Sequence, residues 1–384
     1  MSETSSPQAI PYNFDRTRSS DEQSVMYDLV FVININSKGW ILEKICDVIA
    51  AGSGLYCRTV YTERNDAITC WLPPARAYFF SHYKLHMSAL ASELLVQTAR
   101  SYVWFTHPSF DSSNRVDAYV AAANAATMTF TANRFHKRAL EFLGVRPARL
   151  TTILGGADPD LFTMKERQGS TVGLVSAYYE RKRPDLLIET VRAMPDVAFM
   201  LLAPRPEDVE NKGLIWENWP EFPALLALPN FRYVQAPYGE YGLHFRQMDV
   251  YLSLSSLEGG PIPLIEAMFA NCVPVVTRTG FAEDVVEDGV NGYLLPVEPT
   301  LAEIQQQVRR ALSDRETDIR ASAADLSWDR FAARFRDILN PAVEPDRDLL
   351  FVDPAERQFF LREGWGPQER TGGRGPQRLE LHVD

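Results

Sequence analysis

Short, continuous apolar runs alternate with segments of helical period along most of the chain, and that alternation predicts an α/β fold with parallel sheets covered on both faces. Asp28-Leu-Val-Phe-Val-Ile-Asn-Ile has the length of a buried strand. The stretch from Trp40 to Ala51 follows it with apolar residues at 41, 45, 48 and 49, one face of a helix, after a loop containing Lys38 and Gly39. Further strands are expected at 55–61, 77–81, 102–106 and 128–131, each followed by a helical pattern. A second series starts at Thr171-Val-Gly-Leu-Val and continues at 197–202, 231–234, 250–254 and 273–277. Two doubly wound domains result, with ligands expected at the carboxyl ends of the strands. The expected boundaries are a polar, disordered leader over 1–24, a first domain over 25–165, a second over 166–340 closed by helices at 301–312 and 328–339, and a tail over 341–384. The tail is rich in Pro, Gly and charge, and Gly364-Trp365 with Leu379-Glu-Leu-His-Val forms a candidate small β appendage.

Composition narrows the functional classes. A chain of 384 residues that is 46% hydrophobic is long enough for two ordinary cores. Its net charge of -11 argues against a nucleic-acid groove, and leaves at most peripheral contact with a membrane. Cys46, Cys57, Cys70 and Cys272 form neither a Cys-x-x-Cys pair nor a disulfide-dense pattern, which predicts reduced thiols in a cytoplasmic protein. The leader lacks an apolar signal core, and no apolar run reaches the ~18 residues that a membrane-spanning helix needs.

The candidate chemistry gathers in Glu258-Gly-Gly-Pro-Ile-Pro-Leu-Ile-Glu266. Asp249-Val-Tyr-Leu-Ser-Leu-Ser before it is β-rich and Leu264-Ile-Glu-Ala-Met-Phe-Ala is helical in composition, so the glycines fall on a strand-to-helix turn. Pro261 or Pro263 suits a first helical turn, where a missing N–H leaves nothing unpaired. Amides near Gly259, Gly260 and Ile262 then face outward at the positive end of the helix dipole, an arrangement that suits a diphosphate. Glu266, one turn in, is placed to accept hydrogen bonds from a vicinal diol such as a ribose, and Glu258 from a second polyol. Taken alone, the pair reads equally well as a solvated loop glutamate and an ordinary first-turn glutamate.

The flanking segments resemble the donor-binding half of the retaining glycosyltransferases of family 4, which have the GT-B fold. Val273-Pro-Val-Val-Thr and Glu283-Asp-Val-Val-Glu-Asp-Gly-Val-Asn-Gly-Tyr-Leu-Leu continue the similarity. It extends to Phe130-Thr-Ala-Asn-Arg-Phe-His-Lys-Arg-Ala-Leu-Glu-Phe-Leu-Gly-Val with Thr152-Ile-Leu-Gly-Gly-Ala-Asp-Pro-Asp-Leu-Phe162, to Val103-Trp-Phe-Thr-His107, to Arg181-Lys-Arg-Pro-Asp-Leu-Leu-Ile-Glu-Thr-Val and to Ser327-Trp-Asp-Arg-Phe. The resemblance implies two Rossmann-like domains facing each other across a cleft, the first on the acceptor side and the second binding a nucleoside diphosphate sugar. It implies transfer of a sugar to an acceptor hydroxyl with retention, in surface glycan or glycoconjugate synthesis, with a glycan or lipid-linked acceptor and no metal or other cofactor. His107, Lys182 and Glu258 take the catalytic positions. Lys38, Gly39, Arg181, Arg183, Gly259, Gly260, Ile262, Pro263, Leu264 and Glu266 take the donor-binding positions, and His82 is an acceptor-side candidate.

The chain also departs from that pattern. Ala177 stands where the family places an arginine, five residues before the lysine, so the charge either comes from Arg181 or Arg183 or is missing. Gly260 and Pro261 stand where an aromatic residue and a glycine are usual. Of the second-domain glycine pair only Gly280, in Thr279-Gly280-Phe281, carries over. Two other readings therefore accompany the transferase: a nucleotide-sugar epimerase or disaccharide synthase on the same fold, and a catalytically weakened protein that acts as a binding partner. Asp158-Pro-Asp160 lacks the further oxygen ligands a hard cation needs, and Gly52-Ser-Gly54 lacks the rest of a dinucleotide fingerprint.

Overall fold

A computed structural model describes residues 26–339, leaving out 65, 69, 93, 95–98, 106–115 and 210–211. The expected leader, the tail with its β appendage, and His107 lie outside the described residues. The described chain divides into two units.

The first unit carries six parallel strands: β1 Leu29–Asn34, β2 Cys57–Thr62, β3 Ala77–Phe80, β4 Arg100–Phe105, β5 Met128–Thr131 and β6 Leu150–Thr152. Their order is β2-β1-β3-β4-β5-β6. β1 is buried along its whole length, which is why its sequence is a continuous apolar run instead of an alternating one. The order reverses between β1 and β3, so the loops after these two strands flank the switch point where such sheets take ligands. Lys38 and Gly39 follow β1, and His82 follows β3.

The second unit repeats the plan with β7 Thr171–Val175, β8 Ala198–Pro204, β9 Phe231–Ala236, β10 Val250–Ser253, β11 Val273–Thr277 and β12 Tyr293–Leu295. All pairings are parallel, in the order β12-β11-β10-β7-β8-β9. Here the switch point lies between β7 and β10, the strands that precede Lys182 and Glu258. One core spans both faces of this sheet, and the helix Ile262–Phe269 contributes Leu264, Ile265, Ala267 and Met268, all fully buried.

Two chain segments depart from a simple division at one linker. Ala132–Phe135 groups with the second unit, and from Ala332 onward the chain groups with the first. The physical reason for the latter is aromatic: Phe335, in the helix Trp328–Leu339, packs against Phe130 with ring centroids 4.6 Å apart, and against Phe79 and Trp104 at 6.0 Å. The second half of that helix therefore does not close the second unit as its position in sequence implied. No helix among the described residues is long and apolar enough to cross a membrane. The four cysteines are free thiols.

Candidate functional site

Three loops at the carboxyl end of the second sheet build the site. After β7 the chain makes a single 3-10 turn, Glu180–Lys182, and enters the helix Pro184–Ala193 through Arg183. Arg183 is held in the left-handed region at φ 54, a conformation that costs a non-glycine residue about 1–2 kcal/mol. Its guanidinium donates to the Val297 carbonyl at 2.8 Å and pairs with Glu298, so the strained joint is tied to the loop after β12. The joint also fixes where the side chain before it points. Lys182 turns onto Glu258.

Glu258 follows β10. Its Oε1 accepts from Lys182 Nζ and its Oε2 lies 2.9 Å from Arg181 Nη1. The carboxylate is 7% exposed, against 15% for Lys182 and 30% for Arg181. Burial alone drives its pKa up, but the charges of Lys182 and Arg181, with hydrogen bonds from Lys182 and Ser255, outweigh burial and hold it below the ordinary carboxylate range. Arg181 is further fixed by donating to the Leu257 carbonyl at 3.0 Å and by lying 4.6 Å over the ring of Tyr179. The position that lacks an arginine, Ala177, is buried beside the strand end and makes no charged contact. Arg181, not Arg183, is the arginine that meets Glu258.

The glycine turn is braced from both sides. Asn133 donates to the Gly259 carbonyl at 2.7 Å. A Cβ on Gly260 would stand 2.8 Å from the Phe281 ring, and one on Gly280 2.8 Å from Pro261 and 2.9 Å from Glu258 Cβ, so the two turns touch through their glycines. Gly280 also has φ 58, where a side chain is strained whatever the space. The helix begins at Ile262 with Pro261 as its cap residue and Pro263 in its first turn. The Leu264 amide is taken by the Pro261 carbonyl at 2.9 Å. The amides of Gly259, Gly260 and Ile262 have no protein acceptor among the described residues and sit at the positive end of the helix dipole.

Glu266 lies one turn further along, and is 1% exposed. Burial pushes its carboxyl up to about 7, partly offset by the Tyr238 hydroxyl, which donates to Oε1 at 2.7 Å. The two glutamates of the motif therefore have opposite electrostatic character. Glu258 is held ionised by two cations, and Glu266 sits in an apolar setting near its titration point. A cavity of about 20 Å³ lies beside Lys182, lined by Ser176, Trp216, Ser253 and Ser255 among others, room for about one water.

Residues 231–325 match the family model of glycosyl transferases group 1. The match covers Glu258, the glycine turn and Glu266, and it leaves Lys182 upstream. No curated protein matches the chain. Among solved structures, HepE from Anabaena in complex with UDP is similar over 81% of this chain and 99% of that one, with 16% identity and a TM-score of 0.65. Sucrose-phosphate synthase from Thermosynechococcus elongatus follows at 13% identity, covering 81% and 98%, TM-score 0.64. A glycosyltransferase from Rickettsia africae matches at 12%, covering 84% and 100%, TM-score 0.62. At these identities the likeness is one of fold, and the fold is that of the GT-B glycosyltransferases.

Of the residues expected from sequence, the glycosyl transferases group 1 segment and the loop after β7 bring together Lys182, Arg181, Glu258, Gly259, Gly260, Ile262, Pro263, Leu264 and Glu266 in one unit. Arg183 points instead to Glu298. Gly39, Lys38 and His82 belong to the first unit. Gly39 has φ 75 and its amide donates to Glu43 Oε2 at 2.6 Å, while the Lys38 ammonium lies 5.8 Å over the Tyr61 ring. His82 caps the helix Tyr83–Ala91, accepting from the Lys84 amide at 3.2 Å through Nδ1. Tyr238, Asn133 and Ser255 were not singled out from sequence. Asn133 stands inside the quoted passage from β5, and a polar residue just past a buried strand was the signal available for it. Nothing in the local pattern marks Tyr238. Among the described residues no group of three or more His, Cys, Asp or Glu side chains is arranged to hold a metal ion.

Proposed function

We propose that the chain is a retaining glycosyltransferase that moves a hexose from a nucleoside diphosphate sugar to an acceptor hydroxyl in glycan or glycoconjugate synthesis. The observation that carries this reading is the buried Glu258 carboxylate bound to both Lys182 and Arg181 at the glycine turn. A sugar–diphosphate bond breaks with negative charge growing on the leaving oxygen, and preorganised cations and amides at that point lower the barrier. Lys182, Arg181 and the amides of Gly259, Gly260 and Ile262 supply such a set. Glu258, kept ionised, accepts hydrogen bonds from the sugar hydroxyls and orients the ring. Glu266 takes the ribose diol of the nucleotide.

Retention by double displacement needs a carboxylate nucleophile on the open face of the sugar. Glu258 is the ionised candidate in this unit, and its two cations make it a poor one, since they stabilise its charge. A front-face route fits better: the departing phosphate, held by Lys182 and Arg181, takes the proton of the incoming acceptor hydroxyl on the same face. His107 is assigned to the donor sugar and His82 to the acceptor side by resemblance. The HepE structure with UDP and glucose makes uridine donors the first to try.

The test is to incubate the protein with each nucleoside diphosphate sugar, with and without pooled glycan and lipid-linked acceptors, and follow nucleotide release and the anomeric configuration of the product by NMR. Acceptor-dependent release with a retained anomer is the expected result. Interconversion of donor sugars without acceptor identifies an epimerase, and binding without turnover on any acceptor identifies a partner protein.

A further inference from the structure

The Glu266 carboxylate has one hydrogen-bond partner among the described residues, the Tyr238 hydroxyl at 2.7 Å. The two side chains contrast in exposure. Glu266 is 1% exposed, and Tyr238 is 46% exposed. Tyr238 sits on a single 3-10 turn, Tyr238–Glu240, between β9 and the helix Tyr241–Phe245. Its ring is bounded by Tyr241 at 5.4 Å and the edge of Phe162 at 6.2 Å, contacts that leave its other side open to solvent. It therefore covers a carboxylate that a ligand must reach, and it does so with the same chemical group, an O–H, that a polyol would present.

We propose that Tyr238 is a reversible cover on Glu266 that competes with the ribose of the incoming nucleotide and thereby sets donor affinity. The inference rests on the donor-site reading above. A vicinal diol gives a carboxylate two O–H donors, one for each oxygen, and on this proposal the second of them takes the place of the phenol on Oε1. A nucleotide with a single sugar hydroxyl uses Oε2 and leaves Tyr238 in place. Removing the phenolic oxygen thus helps only the ligand that has to evict it.

The experiment is calorimetric titration of the wild type and Tyr238→Phe with UDP, GDP and ADP, each beside its 2′-deoxy counterpart. The substitution deletes one oxygen and keeps the ring, and a single cooperative unfolding transition, lowered by a few degrees for the lost hydrogen bond, verifies that the turn is intact. The expected result is ribonucleotide binding about tenfold tighter in the variant, the scale of one hydrogen bond to a charged group, with 2′-deoxy binding unchanged. Unchanged or weaker ribonucleotide binding overturns the proposal. So does an equal gain for both nucleotide types, which would place the ring against the base. Should the variant lose the fold, Tyr238→Leu, which carries no hydrogen-bond donor at that position, is read by the same ribose-to-deoxyribose ratio. Absence of binding by every nucleotide to every protein overturns the donor-site reading and the cover with it, whereas binding that ignores the hydroxyl overturns the cover alone.

Discussion

Glu258→Gln separates what the carboxylate does for the fold from what it does for the reaction. The substitution keeps the shape and removes the charge that two cations share. Breaking a fully buried ion pair on one side costs about 3–5 kcal/mol. Here Lys182 and Arg181 keep 15% and 30% of their side-chain surface in solvent, and the glutamine carbonyl still accepts one hydrogen bond. The loss should therefore sit lower, near 2 kcal/mol, roughly the worth of one hydrogen bond to a charged group. For a unit of this size that lowers the melting temperature by about 4–8 °C. The nucleotide should respond in the opposite sense. Lys182 and Arg181, freed from their internal counter-ion, meet the diphosphate without competition, so UDP affinity holds or rises while turnover falls by orders of magnitude. Thermal unfolding, UDP titration and nucleotide release on one preparation measure all three. Near-normal turnover would remove Glu258 from the chemistry, and a fall in UDP affinity would mean that it organises the cations instead of competing for them.

Three further perturbations probe other parts of the site. Lys182→Ala should weaken nucleoside diphosphate binding as well as turnover, and unchanged affinity by titration would move the phosphate site to Arg181 or to Lys38. Glu266 gives a pH signature: its folded carboxyl is raised from 4.5 to about 7, so the native state holds more protons than the unfolded chain in that window and stability falls as pH rises through it. The full effect is about 3 kcal/mol at neutral pH and above. Urea unfolding of Glu266→Gln against wild type should show the variant gaining by that amount between pH 4.5 and 8, and parallel curves would refute the raised pKa. Glu258, shifted the other way, contributes stability that is present above its unfolded pKa and lost as pH falls through its lower folded one, so it acts on the acid side of that window. Gly280→Ala should cost about 2–3 kcal/mol, the left-handed backbone plus contact with Pro261 and Glu258 Cβ; a melting temperature within a degree of wild type would mean that the two turns move independently.

What the sequence revealed and what it hid divide along the range of the interactions involved. β1 and β11 are buried on both faces, so their apolar runs mark them in the chain, and the Pro and Gly residues around 258–263 announce the start of the helix at Ile262. The Lys182 and Glu258 partnership spans 76 residues and shows in sequence only through resemblance, because a basic run after a strand reads first as a solvated one. Three features were not legible. The first is which arginine meets Glu258: this depends on the left-handed turn at Arg183, beyond which Arg181 pairs with Glu258 and Arg183 with Glu298. The second is Tyr238, whose hydroxyl reaches Glu266 across 28 residues from an exposed turn with no local pattern. The third is the return of Phe335 to the aromatic cluster of the first unit, since the amphipathic stripe of a helix states that a face is buried and not against what.

The most direct test of the account is a thermal-shift panel of UDP, GDP, ADP, dTDP and their common sugar conjugates on wild type and Lys182→Ala, without added metal. A ligand at about 100 times its dissociation constant stabilises the folded state by about 2.7 kcal/mol. The account predicts that one base raises the melting temperature of the wild type by several degrees and that the shift collapses in the variant. A flat panel for the wild type, or an equal shift in both proteins, would contradict a nucleoside diphosphate site built on Lys182, Glu258 and Glu266.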